Sequence, residues 1–352
     1  MLSNIGITAF TFIHLMMTIE NTTATKIGIA IIGYGYWGPN LVRNFYQLSD
    51  CRVRYICERL PERAARAARD YPSITITDDY ELILQDEQVQ GVVIATPVKT
   101  HFFLARQALL HNKHIFVEKA FTSNLSEAEQ LVQLARTQKK HILVDHIYLY
   151  HPAVRHIQHL LTTEIGTVQY IDSTRINLGL FQNDVDVVWD LGPHDISICN
   201  YLLDAIPERV SVIARSDAPD QPVSIAYISL HYPANRLAHI ALSWISPVKI
   251  RQMLVAGDQK MIVFNDLETT EKVKVYDTSY KFIPPKKRHE ILVDYRIGDI
   301  AIPKLDTREA LYFAASDFIT SIRDDQTPFS SGQTGLEVMR VLEQLRHLSS
   351  IK

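Results

Sequence analysis

The stretch KIGIAIIGYGYWGPNLVRN, residues 26–44, decides the reading of this chain. Its isoleucine-rich run at 27–32 predicts a strand buried on both faces. Glycines follow at 33, 35 and 38, and residues 40–46 continue with the apolar periodicity of a helix. Strand, G-x-G-x-x-G and helix in that order make a dinucleotide-binding turn. Gly33 permits the tight turn, Gly35 lets backbone approach a pyrophosphate, and Gly38 lets helix and strand pack closely. Pro39 sits in the first helical turn, where a missing N–H costs nothing. The free N–H groups of that turn face the phosphates. Tyr36 and Trp37, between the glycines, are candidate cofactor contacts with them.

Working outward, a strand over 53–57 ends in Glu58, twenty residues after Gly38, where such a turn places the acid that holds the adenosine ribose hydroxyls. A carboxylate there repels a 2′-phosphate and favours NAD. Arg59 next to it would accommodate that phosphate, so NADP stays open. Strands over 74–77, 89–95, 114–117 and 142–145 alternate with helices over 61–70, 79–84, 101–111 and 126–139. That alternation predicts right-handed crossovers and a six-stranded parallel sheet. Ser126 and Glu129 fit a capping box for the last of these helices. The turn at Thr96-Pro97, His101 after it, and Glu118-Lys119 all fall at carboxyl ends of strands, the edge where open α/β sheets bind ligands. All are candidate cofactor contacts, although His101 equally fits a cap or lining of its own helix.

Composition bounds the rest. A chain of 352 residues, 47% hydrophobic and 21% charged, has the length of two domains, each able to bury a core. A net charge of −3 argues against a nucleic-acid partner, which calls for a basic excess. The three cysteines, at 51, 57 and 199, make no metal-ligand spacing and no disulfide framework, which fits a reducing cytoplasm. The apolar run at 5–17 is too short to span a membrane and lacks the basic start of a signal peptide. Residues 1–25 therefore read as a disordered or loosely attached tail, with Met16 and Met17 as alternative translation starts. No other run reaches membrane-spanning length.

Past Gly166 the pattern changes. Segments at 168–177, 209–215, 224–232, 237–246, 249–256, 261–265 and 272–277 read as strands with short connections, hence a largely antiparallel sheet. A helix over 190–203, started by Gly192-Pro193, covers one face; the other face is a candidate subunit interface. Residues 283–303, with Pro284-Pro285 and Pro303, read as an extended arm or loop, and helices follow at 308–323 and 335–348. The fold class is thus α/β: a parallel dinucleotide-binding sheet over 26–147, then an α+β substrate-binding and oligomerisation domain over 148–352 with a large, mostly antiparallel open sheet.

Lys119, Asp190 and His194 form the candidate reaction centre. Asp190 and His194, four apart, share one helix face, whereas Asp195 points elsewhere. Oxidising an alcohol means removing its proton as hydride leaves the carbon, a transfer suited to histidine. A lysine beside the same oxygen stabilises developing alkoxide. The lysine arrives from the first domain and the histidine from the second, so they bracket a cleft. No metal is called for.

The segments GYGYWG at 33–38, ATPVKTH at 95–101, VEKA at 117–120 and WDLGPHD at 189–195 carry a resemblance to the glucose–fructose oxidoreductase/inositol dehydrogenase (Gfo/Idh/MocA) family of NAD(P)-dependent oxidoreductases. The resemblance spans 26 to about 348. It implies a Rossmann domain, a second domain on an open sheet, and sheet-to-sheet oligomers. The family's E-K-P lysine falls on Lys119, and its D-x-x-x-H acid and histidine on Asp190 and His194. Two departures stand out. Ala120 replaces the usual proline, which loosens the backbone beside Lys119. His146-Ile147-Tyr148-Leu149-Tyr150 replaces an H-N-x-R-like stretch and makes the pocket more aromatic. Tyr148 and Tyr150 then become candidates for contact with a sugar ring, or else core, and Arg175, Asn177 and Gln182 candidates for substrate selection.

The resulting expectation is a cytoplasmic, homo-oligomeric (dimeric or tetrameric) oxidoreductase. It transfers hydride between NAD, with NADP open, and a secondary alcohol or ketone of a sugar. Similar proteins often act on nucleotide-activated sugars, which implies a nucleotide-sugar 3-dehydrogenase or ketoreductase. A free polyol or inositol dehydrogenase is the alternative within enzymes. A non-catalytic dinucleotide-binding sensor or scaffold is the alternative outside them, disfavoured because a sensor has no use for Lys119 and His194.

Overall fold

The computed structural model describes residues 26–179, 185–218, 221–283 and 292–349. The expected tail at 1–25 and Gln182 lie outside the described residues.

The first layer is a parallel six-stranded sheet. In chain order it runs β1 (Ile27–Ile32), α1 (Gly38–Tyr46), β2 (Cys51–Cys57), α2 (Pro61–Asp70), β3 (Thr75–Thr77), α3 (Tyr80–Gln85), β4 (Gly91–Ile94), α4 (His101–Leu110), β5 (His114–Val117), α5 (Leu125–Gln138) and β6 (Ile142–Val144). The spatial order is β3-β2-β1-β4-β5-β6, all parallel. The direction of winding reverses between β1 and β4, and the crevice at that switch point is where such sheets bind dinucleotides. Central strands are apolar on both faces because helices cover both: β4 and β5 are buried throughout. The cap of α5 differs from the expected box. Asn124 accepts the N–H of Glu127 at 3.0 Å and Glu127 accepts that of Ser123 at 3.2 Å. The pair therefore sits two residues earlier than Ser126 and Glu129, because an extended Asn competes well for the cap position.

A short 3-10 turn (Ile147–Tyr150) and α6 (Pro152–Thr163) lead to the second sheet. It comprises β7 (Val168–Leu178), β8 (Arg209–Ser216), β9 (Val223–Tyr232), β10 (Arg236–Ser243), β11 (Ile245–Gly257), β12 (Met261–Asn265), β13 (Val273–Ile283) and β14 (Leu292–Ala301), with α7 (Val187–Leu203) inserted after β7. The order is β14-β13-β12-β11-β7-β10-β9-β8, antiparallel except where β10 runs parallel to β7. Two expectations change here. Much of the supposed arm at 283–303 is β14, paired antiparallel with β13: the alternation from Val293 to Ile297 outweighs the flanking prolines. And α7 starts at Val187 because Asp186 caps it, accepting the Trp189 N–H at 2.8 Å. Gly192-Pro193 is therefore inside the helix, at the cost of one backbone hydrogen bond.

On the inner face of this sheet Ala226, Ile228, Leu230, Ala238, Ile240 and Leu242 are fully buried, and α7 packs over them. The opposite face leaves Tyr170, Ile213, Tyr227 and Leu237 in the open.

The last two helices return to the first layer. Helix α8 (Ala310–Asp324) inserts Phe318 between Phe45 of α1 and Phe116 of β5, with edge-to-face ring centroids 6.2 and 5.8 Å away. Helix α9 (Gly332–Ser349) packs on α5 and α7 and so spans both layers. Phe318 is fully buried, so Phe318→Ala should lower unfolding free energy in urea by about 3–5 kcal/mol. A loss under about 1 kcal/mol would mean that α8 is not part of this core.

Candidate active site

The glycine turn has the shape its spacing calls for. Gly33 has φ +99°, a conformation L side chains rarely adopt. A Cβ on Gly38 would fall 2.3 Å from the Gly33 carbonyl, so nothing larger than glycine fits. At Gly35 a Cβ would meet only the tip of the Arg63 side chain at 3.2 Å, which leaves the backbone approachable there. Glu58 ends β2 with its carboxylate turned to this turn, accepting the N–H of Tyr34 at 2.8 Å and of Leu60 at 2.9 Å. Each oxygen keeps a free lone pair for a hydroxyl. Tyr36 and Arg59 are exposed, and Thr96 borders Gly33 while its hydroxyl meets that of Thr100 at 2.7 Å. Pro97 is exposed at the start of the following turn.

His101 turns its ring toward two backbone carbonyls. It is buried, with one ring nitrogen 3.0 Å from the Ala120 carbonyl and the other 2.8 Å from that of Thr96. It braces the β4 turn against the segment carrying Lys119, where the Lys119–Ala120 peptide is cis.

Lys119 and Asp190 meet. The Lys119 ammonium donates to the Asp190 carbonyl at 2.6 Å and to its carboxylate Oδ1 at 2.7 Å. Asp190 Oδ2 in turn accepts from the Trp244 indole N–H at 3.2 Å. Of the three ammonium donors two are used, leaving one for a ligand. One helical turn on, His194 packs edge-on against the Tyr148 ring, with centroids 5.2 Å apart, and its Nδ1 is buried with no hydrogen-bond partner among the described residues. Burial, and then the positive charges of Lys119 and Arg175, hold the His194 pKa well below the usual histidine value. The imidazole is therefore neutral at pH 7 and able to accept a proton.

Tyr148 is an anchor in a buried polar network. Its hydroxyl donates to Asp266 at 2.7 Å and accepts from Arg175 Nη1 at 3.0 Å. Arg175 also makes a two-point ion pair with Asp195 at 2.6 and 3.2 Å, and Asp195 accepts the Ser173 hydroxyl at 2.8 Å. Asp195 thus turns from His194, as its helix position requires, but toward the sheet core. Arg175 places three of its five N–H donors on these contacts. Tyr150 is core: buried, its hydroxyl donates to Asp317 at 2.6 Å and accepts the Ser330 N–H at 3.0 Å, both far along the chain and invisible to pattern reading. Asn177 is half-buried on β7, with its side-chain amide beside Gly179.

Two of the expected cofactor contacts, Trp37 and Glu118, meet two residues not assigned to the cofactor from sequence, Asp145 and His146, at this edge. Trp37 Nε1, Glu118 Oε1, Asp145 Oδ1 and both ring nitrogens of His146 are buried without partners among the described residues. Burial and the neighbouring Asp145 push the Glu118 carboxyl well above its usual range, and burial raises Asp145 to about 6. Asp145 lies against both Glu118 and Trp37, and the buried polar atoms left over, the His146 ring nitrogens among them, cost free energy unless a polar ligand meets them. They line the carboxyl edge beside the glycine turn, so the chain's residues fit a dinucleotide with a polar ring end. Asp145 and His146 directly follow a buried strand, which was the available signal.

Residues 27–146 match the model of the oxidoreductase family with an NAD-binding Rossmann fold, and 159–263 match the GFO/IDH/MocA C-terminal domain. The UDP-N-acetylglucosamine 3-dehydrogenase of Acidithiobacillus ferrooxidans is 27% identical over 329 residues, covering 90% of this chain and 95% of its own. A crystal structure of that enzyme superposes with a TM-score of 0.74 at 24% identity, over 92% of this chain and 97% of that one; at this identity it speaks for the fold. A structure from Magnetospirillum magnetotacticum MS-1 does so with a TM-score of 0.77 at 26% identity, over 91% and 100% of the chains. No helix among the described residues is long and apolar enough to cross a membrane.

Burial also holds His146 down to about 3, with the nearby Lys119 charge adding to it. Between that value and the unfolded value near 6.5 the unfolded chain binds a proton that the folded chain refuses. Its contribution to stability is thus complete above pH 6.5 and shrinks as pH falls toward 3. Urea unfolding from pH 7 to 4 should show wild type losing up to about 1.4 kcal/mol per pH unit more than His146→Gln. Parallel curves would mean that His146 titrates as in water.

Proposed function

Because the chain belongs to the Gfo/Idh/MocA family of NAD-binding oxidoreductases, we propose that it transfers hydride at a secondary carbinol of a sugar, with a nucleotide-activated sugar oxidised or reduced at C3 as substrate. It is an NAD(P)-dependent oxidoreductase of CH–OH groups, and bound NAD supplies the hydride acceptor. The observation that carries the reading is the Lys119–Asp190 bridge with a neutral His194 one helical turn away. The near full-length relationship to a UDP-N-acetylglucosamine 3-dehydrogenase supports the substrate class.

In this reading Asp190 fixes the Lys119 ammonium, whose remaining N–H donates to the substrate oxygen and stabilises charge as it develops there. His194 accepts the hydroxyl proton on a ring nitrogen, which is open because burial and the nearby cations keep the resting imidazole neutral. In the reverse direction the imidazolium returns that proton to the same oxygen. Glu58 receives the ribose hydroxyls and disfavours a 2′-phosphate, giving NAD preference. Trp37, Glu118, Asp145 and His146 bind the polar end of the cofactor. Tyr148 positions His194, and the exposed face bearing Tyr170, Ile213, Tyr227 and Leu237 is the contact between copies of the chain.

Purified protein with NAD+ should generate NADH from UDP-N-acetylglucosamine or a related nucleotide sugar, read at the reduced-nicotinamide absorbance. His194→Ala and Lys119→Ala should each lower turnover about 10²–10⁴-fold, while NADH affinity by fluorescence stays within a few fold in His194→Ala. NADH formation from inositol or other free polyols alone would replace the nucleotide-sugar reading with the polyol one. Full turnover in either variant would remove that residue from the chemistry.

A further inference from the structure

Two arginines face each other across the inner face of the second sheet. Arg251 on β11 is the register partner of Arg175 on β7. Like charges directly opposite on paired strands are destabilising, so the pair needs a reason. Arg175 has one, since Asp195 and Tyr148 take up its guanidinium and its side chain is only 6% exposed. Arg251 is different. Its two polar contacts are long, 3.5 Å to the Tyr148 hydroxyl and 3.6 Å to Asp266 Oδ2, and its side chain is 36% exposed.

The acid it reaches is already engaged. Asp266 accepts the Tyr148 hydroxyl at 2.7 Å, its carbonyl takes the Lys272 ammonium at 2.6 Å, and the Lys272 and His151 side chains stand 3.7 and 3.6 Å from Oδ1. Arg175, Arg251 and Lys272 thus set three fixed cations against two carboxylates, Asp195 and Asp266. Of the cations sharing Asp266, Arg251 is the most exposed, and it reaches that acid only at 3.6 Å. It lies beside the reaction centre, because the Tyr148 hydroxyl it approaches belongs to the ring packed on His194.

We infer that Arg251 is a specificity residue that receives an anionic oxygen group of the substrate, at the mouth of the site whose depth holds Lys119 and His194. The inference rests on the hydride-transfer reading for the position of the reacting carbon and adds the charge of what must be bound beside it. A guanidinium with open donors suits a phosphate or a carboxylate through paired N–H···O bonds. An activated sugar would offer the first of these groups and a sugar acid the second. The misfit of two opposed arginines is then relieved when the ligand arrives, so Arg251 favours binding at the expense of the empty fold.

The test is calorimetric titration of the NAD-saturated protein with UDP and, separately, with glucuronate, for wild type, Arg251→Gln and Arg251→Lys. Weakening of UDP binding by about tenfold to a hundredfold in Arg251→Gln, with partial recovery in Arg251→Lys, assigns the site to a phosphate. The same loss with glucuronate assigns it to a carboxylate. The thermal midpoint of Arg251→Gln should be unchanged or raised, because a like-charge pair is removed. Equal binding in wild type and variant, binding of neither anion to the wild type, or a lowered midpoint with binding intact would each overturn the inference. Because binding is read without turnover, the two readings fail separately. UDP held through Arg251 with no NADH formed from any sugar defeats the hydride-transfer reading alone. Oxidation of UDP-N-acetylglucosamine with the same KM in wild type and Arg251→Gln defeats this inference alone.

Discussion

One bond joins the two layers where chemistry can occur: the Lys119 ammonium, delivered by the end of β5, on the carboxylate and carbonyl of Asp190 in α7. A lysine at the carboxyl end of a parallel strand ordinarily stands in solvent. Here it is 20% exposed and its partner 15%, so the pair sits in a low-dielectric crevice where the attraction is stronger than at a surface. Its geometry fixes the rest. His194 follows one turn along α7, so whatever seats Asp190 also seats the histidine. His101, pinned between the Thr96 and Ala120 carbonyls, holds the backbone on the other side of the lysine.

The charges around this bond follow a consistent logic. Removing water and placing cations nearby keeps His194 neutral, while the same burial raises the acids Glu118 and Asp145. Groups whose environments push their pKa values in opposite directions are how one pocket hosts both proton donors and acceptors. The Arg175–Asp195 pair has a structural task. Buried, bidentate and shared with Tyr148 and Ser173, it would cost several kcal/mol to break by removing one partner, and it holds the ring against which His194 rests.

The first sheet was legible because β1, the glycine turn and α1 are local and two of the glycines answer backbone demands: the positive φ at Gly33 and the 2.3 Å approach at Gly38. Lys119, Asp190 and His194 were legible from strand ends and a four-residue spacing. Other features were decided by distant contacts. Tyr150 reads like a pocket aromatic, yet Asp317 and Ser330 claim its hydroxyl. Arg175 reads as a selector from sequence alone, and its buried pairing with Asp195, the acid expected to point elsewhere, shows only in the structure. The prolines at 284 and 285 drew attention from the alternation that makes β14, and Gly192-Pro193 from the Asp186 cap that starts α7 earlier. The opposition of Arg251 and Arg175 exists only once register is known.

The account's central claim is that an ammonium from one layer and an imidazole from the other act on a single oxygen. A double-mutant cycle on the single-turnover rate of hydride transfer tests it most directly, with Lys119→Met, His194→Gln and both together. Groups serving one oxygen act as a unit, so the double variant should be slowed little more than the slower single variant. Losses that multiply across the cycle would mean the two side chains act independently, and the shared site would have to be abandoned.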